Sequence, residues 1–283
     1  MFDKNYLLYG LNALSRAHAL NYFVDGHRGG AIISAYYLVH ENGFSDEIGD
    51  LIADRIDQTW VKSGVCADFP EERTQPELIV QIIQTMEANL SGLRQAGHNV
   101  ILPTLALKAL QDVPEAITPA RVWGICRLIE SFTVMDVPLD DRMDTLDLED
   151  RSAAASFIMK EFCDCVERFV GRGQGWSGHW LTYSRALLDL QDMGYHNLVQ
   201  KAQAGHQLFL RRIRAGAQET DLPREEHLPS NQLPSDLAYW ENKTGDWKLG
   251  HVLKYPYGYY GLMQFVDDEK LRERCNQVAY RVL

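Results

Sequence analysis

The chain has 283 residues, of which 46% are hydrophobic and 24% charged, with 10 prolines, 21 glycines and 5 cysteines. Such a composition excludes a disordered chain and a disulfide framework, and the length suits one large domain. A net charge of −11 repels polyanions, so no nucleic acid is expected as a partner, and no segment reaches the roughly 18 apolar residues of a membrane span.

In chain order, apolar residues recur at helical intervals. The residues before Leu7 include Asp3, Lys4 and Asn5 and lack the layout of a signal peptide, which points to the cytoplasm. Leu7, Leu11 and Leu14 form one stripe, Ile48, Ile52 and Ile56 a second, and Ile79, Ile82, Ile83, Met86, Leu90 and Leu93 a third. Thr74 with Glu77 has capping-box spacing, and Thr118 before Pro119 reads as an N-cap followed by the first helical residue. Ile158, Phe162, Val166 and Phe169, and then Leu198, Val199, Ala202, Phe209 and Ile213, continue the pattern. Strand-like alternation is almost absent. About ten to twelve short helices predict an all-α single domain over residues 1–283, arranged as an (α/α) barrel or toroid. Residues 136–151 and 215–236 carry prolines and read as loops, the second long enough to cover a pocket. Cys163 and Cys165 lie in an apolar helical stretch and read as small core residues, and the cluster Arg211, Arg212 and Arg214 reads as a solvated helix face.

Glycine precedes histidine five times, at His27, His98, His179, His206 and His251. Most of these pairs open an apolar helical run, which predicts a histidine at each helix start. Four of them, His27, His98, His179 and His251, are separated by 71, 81 and 72 residues, about two helix pairs each, and so could return to one ring and aim their imidazoles at one point. Imidazole is a common ligand for iron, copper, nickel and zinc. His206 shares a stripe with Ala202, Phe209 and Ile213, which marks it as a packed residue behind the site or as an alternative third ligand. Each histidine taken singly could equally cap its own helix. The set as a whole favours a shared metal site, although neither HExxH nor a facial-triad carboxylate spacing is present.

These spaced histidines, with the late segment His251-Val252-Leu253-Lys254, resemble the questin oxidase-like proteins. The resemblance implies a non-heme iron oxygenase in which His27, His98, His179 and His251 are the imidazole ligands and Lys254, carboxylated, is an anionic oxygen ligand. It implies Fe(II), with another transition metal as the alternative, and an aromatic small-molecule substrate of quinone or polyketide type from secondary metabolism. A need for NADPH is left open. His251 and Lys254 are three residues apart and share a helix face. Arg28, beside His27, is a candidate for neutralising a substrate phenolate, with a surface ion pair as the alternative. Tyr36, Tyr37, Trp180, Tyr183, Tyr255, Tyr257, Tyr259 and Tyr260 would suit a flat aromatic substrate, or equally an ordinary helical core.

Competing readings come from two further motifs and one architecture. Asp140 to Asp144 spells DDxxD, the spacing by which terpene cyclases hold magnesium, but no second magnesium motif accompanies it. Gly173-Gln174-Gly175-Trp176-Ser177-Gly178 matches GxGxxG without the strand a phosphate loop needs, and reads as a turn delivering His179. A helical scaffold that binds a partner in its concave face, with histidines as caps, is the non-catalytic alternative.

Overall fold

The computed structural model describes residues 2–137, 146–223, 227–243 and 247–283, and within them the secondary structure is helical throughout, apart from two isolated bridges. The twelve α-helices among the described residues are α1 (Asn5–Ala17), α2 (Tyr22–Glu41), α3 (Asp46–Ile56), α4 (Ile79–Ala88), α5 (His98–Asp112), α6 (Pro119–Glu130), α7 (Arg151–Arg168), α8 (Gly175–Asp192), α9 (His196–Ala215), α10 (Leu237–Asn242), α11 (His251–Met263) and α12 (Glu269–Ala279). The protein is all-α, and the DDxxD stretch at Asp140 to Asp144 lies outside the described residues. No helix among them is long and apolar enough to cross a membrane.

Several starts follow the capping logic of the sequence. Asn21, Ser45 and Asp150 accept the backbone N–H groups of Val24, Ile48 and Ala153 and so open α2, α3 and α7. Pro119 is the first residue of α6, as its missing N–H and fixed φ favour. The capping box at Thr74 does not form. Its hydroxyl donates instead to the Glu115 carbonyl at 3.0 Å, and a 3-10 turn, Pro76–Leu78, intervenes before α4.

Burial sorts the helices into layers. In α5, 12 of 15 residues are buried, whereas α12 buries only Cys275 and Ala279, so α5 is wrapped on all sides and α12 covers the outside. α2, α8 and α11 are wrapped like α5. α2 packs on α5 and α11, and α8 packs on the same two, so the four inner helices close on one another. α1 covers α2 and α6, α7 and α9 cover α8, and α12 lies on α7. At the α8–α11 contact a side chain at Gly258 would place its Cβ 2.9 Å from the Leu181 backbone, so glycine there sets the approach.

Two polar clusters show that the inner helices run in one direction. His27, His98, His179 and His251 near their N-termini meet at one end, and Glu41, Lys108, Asp189 and Tyr257, later in the same four helices, meet at the other. At 1.5 Å per residue the 10 to 14 residues between the members on α2, α5 and α8 separate the clusters by about 15–20 Å.

Candidate metal centre

The four histidines reach their common point by two routes that alternate around the ring. His98 and His251 are the first residues of α5 and α11, each after a glycine in the left-handed conformation, Gly97 (φ 91°) and Gly250 (φ 68°). A side chain at either would be strained, and its Cβ would lie 2.3 Å from the Tyr183 ring or from Ala31 Cβ. His27 and His179 instead sit inside the second turns of α2 and α8, and His206 is in the middle of α9. The expectation that every Gly-His pair marks a helix start therefore holds only for α5 and α11. Gly178 is helical, and its role is clearance, since a Cβ there would lie 2.3 Å from the Tyr255 ring.

The imidazoles form a closed circuit. Ring centroids are 4.2 Å apart for His27 and His98, 4.8 Å for His98 and His179, 5.0 Å for His179 and His251, and 5.3 Å for His251 and His27. Ligand nitrogens of His27, His179 and His251 lie within 4.8 Å of one another, and His98 Nε2 is 3.2 Å from His179 Nε2.

Hydrogen bonds fix which nitrogen faces the centre. His27 Nδ1–H donates to the Phe23 carbonyl at 2.5 Å, His98 Nδ1–H to that of Gln95, and His179 Nδ1–H to that of Gly175 at 2.7 Å. The Tyr255 hydroxyl oxygen is 3.0 Å from the same His179 nitrogen, and its ring stacks on His251 with an interplanar angle of 8°. With the proton held on Nδ1, each neutral ring turns the lone pair of Nε2 inward, the arrangement that carbonyl partners impose on metal-binding histidines. His27 Nε2 is buried with no hydrogen-bond partner among the described residues.

These distances suit a transition-metal ion. With metal–nitrogen bonds of about 2.1 Å, ligand nitrogens lie about 3.0 Å apart at a right angle, about 3.4 Å at the tetrahedral angle and at most about 4.2 Å when opposite. The His98–His179 separation of 3.2 Å falls within the first two, and the widest of the other three nitrogen spans would close by about 0.6 Å on binding.

Burial keeps the imidazoles of His27, His98 and His179 unprotonated. Burial drives His27 and His98 well below the ordinary imidazole range and pushes His179 down to about 3. Neutral imidazole is the form that binds metals. Lys254, 2% exposed, lies among the rings, and burial alone drives its amine well below the usual lysine range, with no carboxylate beside it among the described residues. The four parallel helix N-termini add positive potential at this end. Among the described residues no carboxylate joins the histidines of this group.

A cavity of about 460 Å³ opens onto His179 and His251. Its walls are Ala96, Gly173 to Trp176 and the segment Thr220 to Pro223. Asp221 fixes the latter: Arg212 binds both its oxygens at 2.6 Å, and it also accepts from Trp176 Nε1 at 3.0 Å. Burial opposes ionisation of Asp221, but these donors outweigh it and lower its pKa.

Other sequence-predicted residues lie elsewhere. Of the aromatic residues expected to line the pocket, Tyr255 touches the centre, whereas Tyr37 binds Asp112, Trp180 binds the Ile158 carbonyl, Tyr183 binds the Ala202 carbonyl and Tyr257 binds Asp189. All four are buried supports rather than cavity walls. Arg28 pairs with Asp25 at 3.4 Å and bonds the Lys248 carbonyl, so it ties α2 to the turn before α11. His206 stacks on Trp180 at 4.4 Å with Nε2 against Ser184 Oγ, so it lies outside the ring that His179 joins. Sequence reasoning missed Gln174 and Asp221 as wall residues. The only signal for Gln174 was its place in the GxGxxG turn, and Asp221 had none.

Compared with family models, curated proteins and solved structures, the chain matches none.

Proposed function

We propose that the protein is an oxygenase that holds ferrous iron on His27, His98, His179 and His251, with Lys254 as a fifth ligand after carboxylation, and oxidises a flat aromatic small molecule, as the resemblance to questin oxidase-like proteins implies. One observation carries this reading: ligand nitrogens of His27, His179 and His251 converge beside a cavity, His98 adjoins His179, and three of the four rings spend Nδ1 on backbone carbonyls. Bound iron supplies the activation of dioxygen.

The chain's own residues do the rest. Tyr255 braces His179 and His251, and the inner helices exclude bulk water from the ring. A carbamate on Lys254 would bring one negative charge to a site that otherwise offers only neutral donors and helix N-termini. The Trp176 and Leu222 walls suit an aromatic body, and the cavity orients it toward His179 and His251. Five buried free cysteines accord with a reducing compartment, and we place the protein in the cytoplasm.

Oxygen consumption tests the reading. Tag-free protein is loaded anaerobically with ferrous iron and offered hydroxylated anthraquinones and naphthols, with and without NADPH. The expected result is iron-dependent uptake with isotopic oxygen appearing in the product, reduced at least about 100-fold in His98→Ala and His251→Ala. Iron-loaded protein that consumes no oxygen with any of these compounds would contradict the oxygenase while leaving the metal centre standing.

A further inference from the structure

Outside the imidazole ring, two of the five cysteines meet. Cys163 on α7 and Cys275 on α12 are 112 residues apart in sequence, and their sulfurs are 3.3 Å apart. Cys165, two residues on from Cys163, turns instead to Ser177 Oγ at 3.0 Å. The Cys163–Cys275 separation exceeds a disulfide bond by about 1.2 Å. Turning each side chain by less than about 30°, within its rotamer well, closes that gap.

The seam around the pair is thin. α12 rests on α7, and of its 11 residues only Cys275 and Ala279 are buried. Arg274 adds ion pairs to Asp164 at 2.8 Å and to Glu167 at 3.1 Å, but these are open to solvent and hold the helix weakly. A helix attached by so few buried groups opens locally at low cost, and such opening admits a water-sized oxidant to two sulfurs that are otherwise covered. The two thiols are also unequal. A hydrogen bond from Cys275 holds the Cys163 thiol below its usual range, against the effect of burial and with help from the Arg274 charge. The same bond, together with burial, raises the Cys275 thiol. Cys163 is thus the attacking sulfur and Cys275 the resolving one.

We propose that Cys163 and Cys275 are a redox-sensitive pair that hydrogen peroxide closes to a disulfide, fastening α12 to α7. The Cys163 thiolate attacks one peroxide oxygen, the O–O bond breaks, and hydroxide leaves as Cys163 becomes a sulfenic acid. The Cys275 thiolate then attacks the Cys163 sulfur, the S–O bond breaks and a second hydroxide leaves. The two thiol protons join the two hydroxides, so the thiols give up two electrons and peroxide is reduced to two waters. In a reducing compartment the thiols are the resting form, and the disulfide is a transient response to oxidant. The pair needs neither the metal nor the cavity.

The whole chain, freed of metal so that iron-driven oxidation plays no part, is treated with hydrogen peroxide, alkylated and digested with trypsin without reductant. Mass spectrometry is expected to show a loss of about 2 mass units, with segments 161–168 and 275–281 joined through Cys163 and Cys275, and full reversal by dithiothreitol. Amide exchange in α12 is expected to slow by at least about tenfold in the oxidised form. Cys163→Ser and Cys275→Ser each abolish the cross-link, whereas Cys165→Ser keeps it. If a serine variant does not fold, the alanine variant at the same position carries the same expectation. Absence of a cross-link in the wild type, a cross-link between a different pair, or unchanged exchange in α12 each overturns the proposal.

Discussion

The same four inner helices carry a polar cluster at each end, and the two ends are satisfied in opposite ways. At one end Lys108 bridges Glu41 at 2.6 Å and Asp189 at 2.9 Å, Arg185 bridges the same two carboxylates at 2.7 Å and 3.0 Å, and Tyr257 donates to Asp189 at 2.6 Å. Two cations meet two anions. Burial alone would raise the Asp189 carboxyl, yet Arg185 and Lys108 outweigh it and hold it below its usual range. At the other end four imidazoles lie near a buried amine, and among the described residues His27 Nε2 has no hydrogen-bond partner and no carboxylate acts on Lys254. A closed charge network is complete as it stands and serves the fold. A cluster of inward lone pairs is the arrangement that a cation would complete, and on the proposed reading this difference separates structure from function within one scaffold.

Breaking one charge at each end gives the largest contrast. Asp189→Ala leaves two cations buried against one carboxylate and is expected to cost about 3–5 kcal/mol in urea unfolding. Lys254→Met removes a buried amine that has no counter-charge, so the metal-free protein is expected to keep or gain stability while its metal affinity falls. Equal losses at both positions would erase the distinction between the two ends.

A smaller effect is expected at the brace of the imidazole end. Tyr255→Phe removes the hydroxyl 3.0 Å from His179 Nδ1 while keeping the ring stacked on His251. Metal affinity, measured by competition with a chelator, should fall about 10–100-fold with the fold intact.

The smallest effect concerns His206, a neutral histidine outside the ring. Burial pushes its pKa down to about 3, against about 6.5 when unfolded. The unfolded chain therefore takes up its proton first as pH falls. The stability that this histidine contributes is intact above about pH 6.5 and is lost as pH falls from there toward about 3. In metal-free protein His206→Gln should flatten the pH dependence of stability in that window by about one proton, roughly 1.4 kcal/mol per pH unit. Added metal should leave this increment unchanged, because His206 stacks on Trp180 rather than facing the centre. An unaltered slope in the variant would contradict the burial argument.

The all-helical fold was legible because stripes such as Leu7, Leu11 and Leu14 are buried as their spacing requires. The clustering of four histidines was legible from the even return of Gly-His, but the reason attached to it was half right. Left-handed glycines lead into His98 and His251, while His27 and His179 lie inside helices, a difference that the dipeptide itself does not encode. Aromatic residues misled, since Trp180 and Tyr183 in a core and aromatic residues on a cavity wall obey the same helical spacing. Gln174 and Asp221 became visible only through tertiary contacts: the first is defined by its place on the cavity wall, and the second by partners on three separate segments.

Metal content tests the central claim most directly. Tag-free protein, dialysed against chelator and re-exposed to ferrous iron without oxygen, is measured by elemental mass spectrometry beside single alanine variants of His27, His98, His179, His251 and His206. The account predicts about one ion per chain in the wild type and in His206→Ala, and less than about a tenth of that in the four ring variants. A wild type that takes up no transition metal, or ring variants that retain it in full, would contradict it.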